Sequence, residues 1–351
     1  MTSRRVAPSH KRRIAPAILV LAMATAFTGH SPAREDHKGD LSDKLSADDK
    51  PEVHLLHVQG RVYMLVGAGA NITVQVGDEA IILVDAGLAP MSEQVISAIR
   101  TLSGKPIEFI INTSADEDHV GGNHNLAKVG RFSSGLPGEE TGASVVAHLA
   151  VLDRMSAADG KQPPVSLELW PTDTYDNDRW ELFNDEAVII EHPHAAHTDG
   201  DSIVFFRRSD VVSAGDIFTS DHYPVIESQK GGTINGEIDA LNQIIDLMVP
   251  QENEEGGTYV IPGHGRLCDR TDIVNYRDMV TIIRDRVADL VKKGRTLEQV
   301  KASKPTLDYD GIYGAETGPW TTQTFITAVY NDLNRGEAAG RDAKNLGKKD
   351  E

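Results

Sequence analysis

IEFIINTSADEDHVGGN, residues 107–123, opens as an apolar run and breaks into an acidic turn ahead of a glycine pair. The run IEFII has the length of a buried strand and is too short for a helix. The turn sets Asp116, Asp118 and His119 close together, with Glu117 between the two aspartates, and NHNLAKV then reads as a helix. Like charges packed this closely repel one another unless a cation sits among them. In isolation such a turn is a solvated acidic loop; at the end of a strand it is also a good ligand cluster. The rest of the chain decides between the two.

Upstream, residues 53–87 alternate or run apolar in short segments, with Gly60, Gly67 to Gly69 and Gly77-Asp78 as turns. This predicts three or four strands in succession, closed by Asp85-Ala86-Gly87. A helix over residues 91–103 follows, with Val95, Ile96 and Ile99 on one face. Downstream, SVVAH predicts a strand and residues 151–155 a helix. Residues 159–180, with three prolines and two of the three tryptophans, predict an irregular excursion over the body of the fold. Strands resume at 187–191, 202–207 and 211–213, a helix covers 238–248, and TYVIP is a strand. Helical spacing then dominates from Asp272 to a stop at Gly294, with further helices at 296–302 and 321–333. Strands, helix, strands and helix in that order make one two-layered body rather than two separable domains.

The 351 residues carry a formal net charge of −18. So acidic a surface repels phosphate backbones and anionic lipid, which argues against nucleic acid or a membrane surface as partner. The first 33 residues run the other way, with Arg4, Arg5, Lys11, Arg12 and Arg13 and no acid. This basic segment precedes an apolar run at 14–27 and small residues that fit cleavage near Ala26 or Ala33, which is the pattern of a secretory signal. The run is short for a membrane span, and Ser3-Arg4-Arg5 hints at twin-arginine export. The expected organisation is a signal at 1–33, a flexible leader at 34–50, one domain at 51–335 and a disordered tail at 336–351. The expected location is periplasmic or secreted, with no stable membrane association once the signal is removed. The single cysteine, Cys268, rules out an intramolecular disulfide and reads as a buried small apolar residue.

Three later positions stand, like the acidic turn, at predicted strand ends: His197 in EHPHAAHTDGDS, Asp216 in VVSAGDIF and His264 in YVIPGHG. Strand ends of one sheet system converge on one edge, and mixed imidazole and carboxylate sets are what zinc, iron or manganese bind. His192 and His194 lie within reach of His197 as alternative ligands or strand-end surface histidines, and His148 reads as a packed or surface histidine. Asp199 and Asp201 suit supporting acceptors or turn formers, and Asp85 suits a structural hydrogen bond at a strand end. His222 and Tyr223 follow Asp216 closely and suit either a substrate-facing or a turn role.

The order VDAG, acidic metal loop, HTDGD, GD and PGHG resembles the metallo-β-lactamase superfamily across residues 53–275. The resemblance implies an α+β fold, an αββα four-layer sandwich of two antiparallel-rich sheets flanked by helices. Members usually present H-x-H-x-D-H in the metal loop; this chain presents S-x-D-x-D-H, with Ser114 and Asp116 in place of the first two histidines. By resemblance, Asp118, His119 and His264 hold one metal. Asp216 bridges to a second, held by His197 and Asp116 with Ser114 as at best a weak ligand. Oxygen in place of nitrogen moves preference from zinc toward iron or manganese. Three outcomes stay open: a rebuilt dinuclear centre, a mononuclear one, or a degenerate site in a binding module. The implied activity is metal-assisted hydrolysis, in which a metal lowers the pKa of bound water to about 7 and the hydroxide attacks an ester, thioester, lactone or β-lactam carbonyl. Asp118 orients that nucleophile. The cofactor is then one or two zinc ions per chain and the partner a small-molecule substrate. A di-iron or manganese redox protein is the rival reading. The oligomeric state is not legible.

Overall fold

The structure is a computed structural model and describes residues 52–133, 140–156, 165–250, 253 and 256–346. The expected signal, leader and cleavage site lie outside the described residues, as do 159–164 of the expected excursion and 347–351 of the expected tail.

The first half forms β1 (His54–Gln59), β2 (Val62–Val66), β3 (Ile72–Val76) and β4 (Ile81–Val84), an antiparallel meander, and then α1 (Ser92–Leu102). β5 (Ile107–Ile111) adds parallel to β4 and leads into α2 (Glu117–Val120) and α3 (Asn123–Val129). β6 (Phe132–Ser133) and β7 (Glu140–Thr141) pair as a two-stranded ribbon ahead of β8 (Ser144–His148) and α4 (Leu149–Ser156). β9 (Asp173–Tyr175) completes a seven-stranded mixed sheet in the order β1-β2-β3-β4-β5-β8-β9. The second half contributes β10 (Arg179–Phe183), β11 (Glu186–Glu191), β12 (Ile203–Phe206), β13 (Val211–Thr219), α5 (Ile234–Leu247), β14 (Tyr259–His264) and β15 (Cys268–Asp269). These strands form a six-stranded sheet in chain order, parallel only between β13 and β14. α6 (Arg270–Lys292), α7 (Leu297–Ala302), α8 (Asp310–Tyr313) and α9 (Thr322–Leu346) close the chain.

Strand alternation sorts the apolar residues into three layers. Leu83 and Ile110 face outward onto Val95 and Ile99 of α1 and Leu126 of α3. Their neighbours Ile82, Val84 and Ile111 face inward onto Val188, Val204 and Phe206 of the second sheet. Ile203 and Phe205 face out again, onto Leu241 of α5, Tyr276 of α6 and Phe325 of α9. Each such fully buried side chain contributes about 1.5–3 kcal/mol from removal of apolar surface. The result is helix, sheet, sheet, helix, the expected αββα sandwich. The helix starts are fixed locally: Asp269 and Asp272 form a reciprocal capping box on α6, and Thr233 accepts from Gly236 N to start α5 four residues before the predicted boundary at 238.

Four expectations need correction. The residues of the expected excursion on either side of 176–178 are strands, β9 and the start of β10, one in each sheet. The acidic turn is not an open loop but the one-turn helix α2, with Asp116 at its N-cap position. Asp216 does not end a strand: β13 runs on to Thr219, and Asp216 sits where its register breaks around Gly215. Finally, α9 continues through 336–346, where charge composition suggested a disordered tail; alanine, arginine and lysine there are strong helix formers.

Candidate metal centre

The site lies at one edge of the sandwich, where both sheets deliver residues. Beyond β4, Asp85 takes a positive φ of 66°, which turns its side chain to the end of β5. Its carboxylate, 1% exposed, accepts from Thr113 N at 2.8 Å, Thr113 Oγ1 at 2.7 Å and His119 Nδ1 at 2.8 Å. His119 Nε2 is thereby left to face Asp216 Oδ2 at 3.2 Å. The second sheet builds the same device. Asp201 is anchored by Thr198 N at 2.6 Å and Thr198 Oγ1 at 2.7 Å, and it meets His197 Nδ1 at 3.3 Å. His197 Nε2 then faces Asp116 Oδ2 at 3.4 Å. His264, at the end of β14, brings Nε2 to 3.2 Å from Asp118 Oδ2 and 3.6 Å from Asp216 Oδ1. Close approach of the two strands depends on Gly263, where a Cβ would fall 2.1 Å from Asp216 Oδ1.

The predicted positions thus meet in two groups, Asp118–His119–His264 and Asp116–His197–Asp216, with ligand atoms in each within 4.8 Å of one another. A divalent cation fits these residues. His119 Nε2 and Asp216 Oδ1 are buried and have no hydrogen-bond partner within the protein, an expensive arrangement unless a cation meets them. Each buried histidine has its Nδ1 tied to a carboxylate, which fixes the tautomer whose Nε2 lone pair can coordinate. The electrostatics point the same way. Burial works to lower His119, but Asp216 and Asp85 outweigh it and hold the ring well above the usual range. For His197, burial is outweighed by Asp201, Asp216 and Asp116, and its pKa is pushed up to about 9. Burial would raise Asp216, yet His119, His197 and His264 hold it far below the usual carboxylate range. Asp118 is also held low, against its burial, by His264 and His119.

Other expected residues fall elsewhere. The Ser114 hydroxyl accepts from Asp116 N at 3.2 Å and so shapes the turn. Asp199 accepts from Arg154 Nη2 at 2.5 Å, and it is Asp201 that meets His197. His192 stacks on His148 at 3.6 Å with the rings 10° apart, and its Nδ1 lies 2.9 Å from Asp201 O. Among the described residues neither it nor His194 belongs to a ligand group. Tyr223 is buried and donates to Asp310 Oδ1 at 2.9 Å, whereas His222 stays partly exposed with its ring 6.0 Å from that of His264. Cys268 is buried as expected, and burial with Asp272 pushes its thiol up to about 12.

Two residues were missed in the sequence. Glu237, in the first turn of α5, is fully buried with neither carboxylate oxygen hydrogen-bonded within the protein; burial and the carboxylates of Asp201 and Asp216 hold its pKa well above the ordinary value. Lys230 places Nζ 2.6 Å from Asp116 Oδ1. One sign of it was available: it is the only lysine between Lys161 and Lys292.

The family model of the metallo-beta-lactamase superfamily matches residues 65–278. No curated protein matches the chain. Among solved structures, the chain is similar to the sec-alkylsulfatase Pisa1 from Pseudomonas sp., with TM-score 0.55 and 15% identity over 79% of this chain and 50% of that one. The chain therefore spans half the length of that enzyme. It is also similar to a metallo-beta-lactamase from Pontibacter korlensis, with TM-score 0.49 and 14% identity over 66% of this chain and 99% of that one.

Proposed function

The chain belongs to the metallo-β-lactamase superfamily, and from that membership we propose that it is an exported metal-dependent hydrolase of a small ester, thioester, lactone or β-lactam. The observation that carries this reading is the pair of carboxylate-locked histidines, Asp85–His119 and Asp201–His197, aimed from two sheets at the carboxylates of Asp216 and Asp116. Structural histidines have no need for such doubled orientation; ligands do.

Asp118, His119 and His264 would hold one metal and Asp116, His197 and Asp216 a second, with zinc as the first candidate and iron or manganese favoured by the oxygen of Asp116. Such a metal supplies a Lewis acid for the scissile carbonyl and makes water a nucleophile at neutral pH. The chain's own residues do the rest. Asp85 and Asp201 keep the Nδ1 protons of His119 and His197, so that neither ring turns. Asp118, held ionised by its contact with His264, accepts a hydrogen bond from the attacking water and orients it. The basic and apolar residues 1–33 support export, and the net charge of −18 supports a small substrate over a nucleic acid.

The test is elemental analysis of the mature protein followed by a substrate screen across β-lactams, thioesters, lactones and carboxylate esters. Alkyl sulfates join the screen because of the fold shared with the sulfatase. The expected result is bound metal and turnover that Asp118→Ala abolishes. Full activity in Asp118→Ala, or no metal even after reloading, would overturn the reading. Iron or manganese without hydrolysis would favour a redox protein instead, a reading that Asp116 supports.

A further inference from the structure

We infer that Lys230 is a built-in counter-cation for Asp116 that makes the two ligand groups unequal. The Asp118–His119–His264 group then takes metal first, and the Asp116–His197–Asp216 group takes a second ion only against a resident ammonium. This rests on the metal-dependent reading above and asks something further of it: why the two halves differ.

Asp116 occupies the N-cap position of α2, where an aspartate ordinarily accepts a hydrogen bond from the helix's own first turn. Here its side chain makes no capping bond. Oδ1 is spent on Lys230 Nζ at 2.6 Å, and Oδ2 faces His197 Nε2 at 3.4 Å. Asp116 therefore offers the site one oxygen rather than two. Both side chains of the pair are only about a quarter exposed, 25% for Lys230 and 24% for Asp116. A short charge-assisted bond in that setting is much less screened than a surface pair.

Lys230 is also anchored. It ends a single 3-10 turn, Ser228–Lys230, which Gly231 stops in the left-handed region at φ 84°. Lys230 O accepts from Asp199 N at 2.9 Å and from Arg154 Nη2 at 3.0 Å, while Lys230 N donates to Glu227 O at 2.7 Å. Glu227 N in turn donates to His197 O at 3.0 Å, so the turn that carries the ammonium is seated on the loop that carries His197. The carboxylate of the other group is met differently: Asp118 Oδ2 faces His264 Nε2 at 3.2 Å, a partner that is itself a ligand candidate. Lys230 has no lone pair to offer while it donates to Asp116, and its positive charge opposes an incoming cation.

The test is calorimetric titration of the metal-stripped mature chain with zinc, repeated with manganese, on wild type, Lys230→Gln and Lys230→Arg, with bound metal counted after gel filtration. Wild type should bind one ion tightly and a second at least about 100-fold more weakly, as expected for charge repulsion at this range. Lys230→Gln should leave the first event unchanged and tighten the second by about ten-fold or more, whereas Lys230→Arg should keep the wild-type gap. An unchanged or weakened second event in Lys230→Gln, with the first intact, would overturn the inference and leave the hydrolase reading standing. A gap lost in Lys230→Arg would also overturn it. No binding by wild type at all would end both.

Discussion

The two halves of the candidate metal centre share one device, and differ in their ligands, two histidines and one aspartate against one histidine and two aspartates, and in a lysine. Each has a buried histidine locked by a buried carboxylate: His119 by Asp85 at 2.8 Å, and His197 by Asp201 at 3.3 Å. Each adds carboxylate oxygens from a different element. Among the described residues, only the Asp116 side carries a lysine on its ligand carboxylate, at 2.6 Å. The superfamily's usual pattern puts a neutral histidine where this chain has Asp116. A carboxylate there adds one negative charge, and Lys230 adds one positive. The pair is thus close to a neutral ligand in charge, but it has a different shape and puts a fixed cation in the second coordination sphere. Sequence substitution at one ligand is read correctly only together with the residue that compensates it.

The comparison can be broken most sharply at the ligands. Asp118→Ala should remove the tightly held metal and all hydrolysis, whereas Asp116→Ala should cost only the second ion; metal counting by mass spectrometry separates them, and equal loss in both would mean the halves are not distinct. A smaller effect is expected one shell out. Asp85→Asn should weaken the first binding event about 10- to 100-fold and Asp201→Asn the second by a similar factor, since each leaves its histidine free to turn. Competition against a chelator of known affinity reads both, and a crossed pattern would contradict the assignment of the halves.

Below these lies an effect on stability alone. Glu237 has a raised pKa, so the folded chain keeps a proton that the unfolded chain releases above the ordinary carboxyl range. With more protons bound in the folded state, stability falls as pH rises. Glu237→Gln should therefore melt several degrees above wild type at pH 8 and less so at pH 5, at equal metal loading; a gap that is constant with pH would contradict it. The smallest expected signal is at Cys268: with its thiol pushed up to about 12 and its side chain buried, it should resist thiol reagents at pH 8 until the protein unfolds.

Much of this was legible in the chain. Alternating and continuous apolar runs gave the strands of both sheets because burial on one face or two leaves that mark directly. The candidate ligands stood out because all but Asp216 lie at or just beyond the end of such a run, and all six meet in the two groups. What stayed hidden has physical reasons. β9 and the start of β10 lie amid prolines and tryptophans; pairing makes them strands, β9 with the distant β8 and β10 with β11 across a hairpin, rather than local pattern. The place of Asp216 inside β13 depends on Gly215 breaking the register, which no periodicity reports. Asp199 and Asp201 have the same side chain two positions apart, and only the path of the loop decides that Asp201 reaches His197. Lys230 could not be tied to Asp116 in the sequence because it is 114 positions away, a separation that only the fold closes.

The most direct measurement is a crystal structure of the mature protein loaded with less than one equivalent of zinc, with anomalous difference density collected at the zinc edge. The predicted result is a single peak among Asp118, His119 and His264, with Lys230 still on Asp116. A peak among Asp116, His197 and Asp216, or equal peaks in both groups, would contradict the unequal halves.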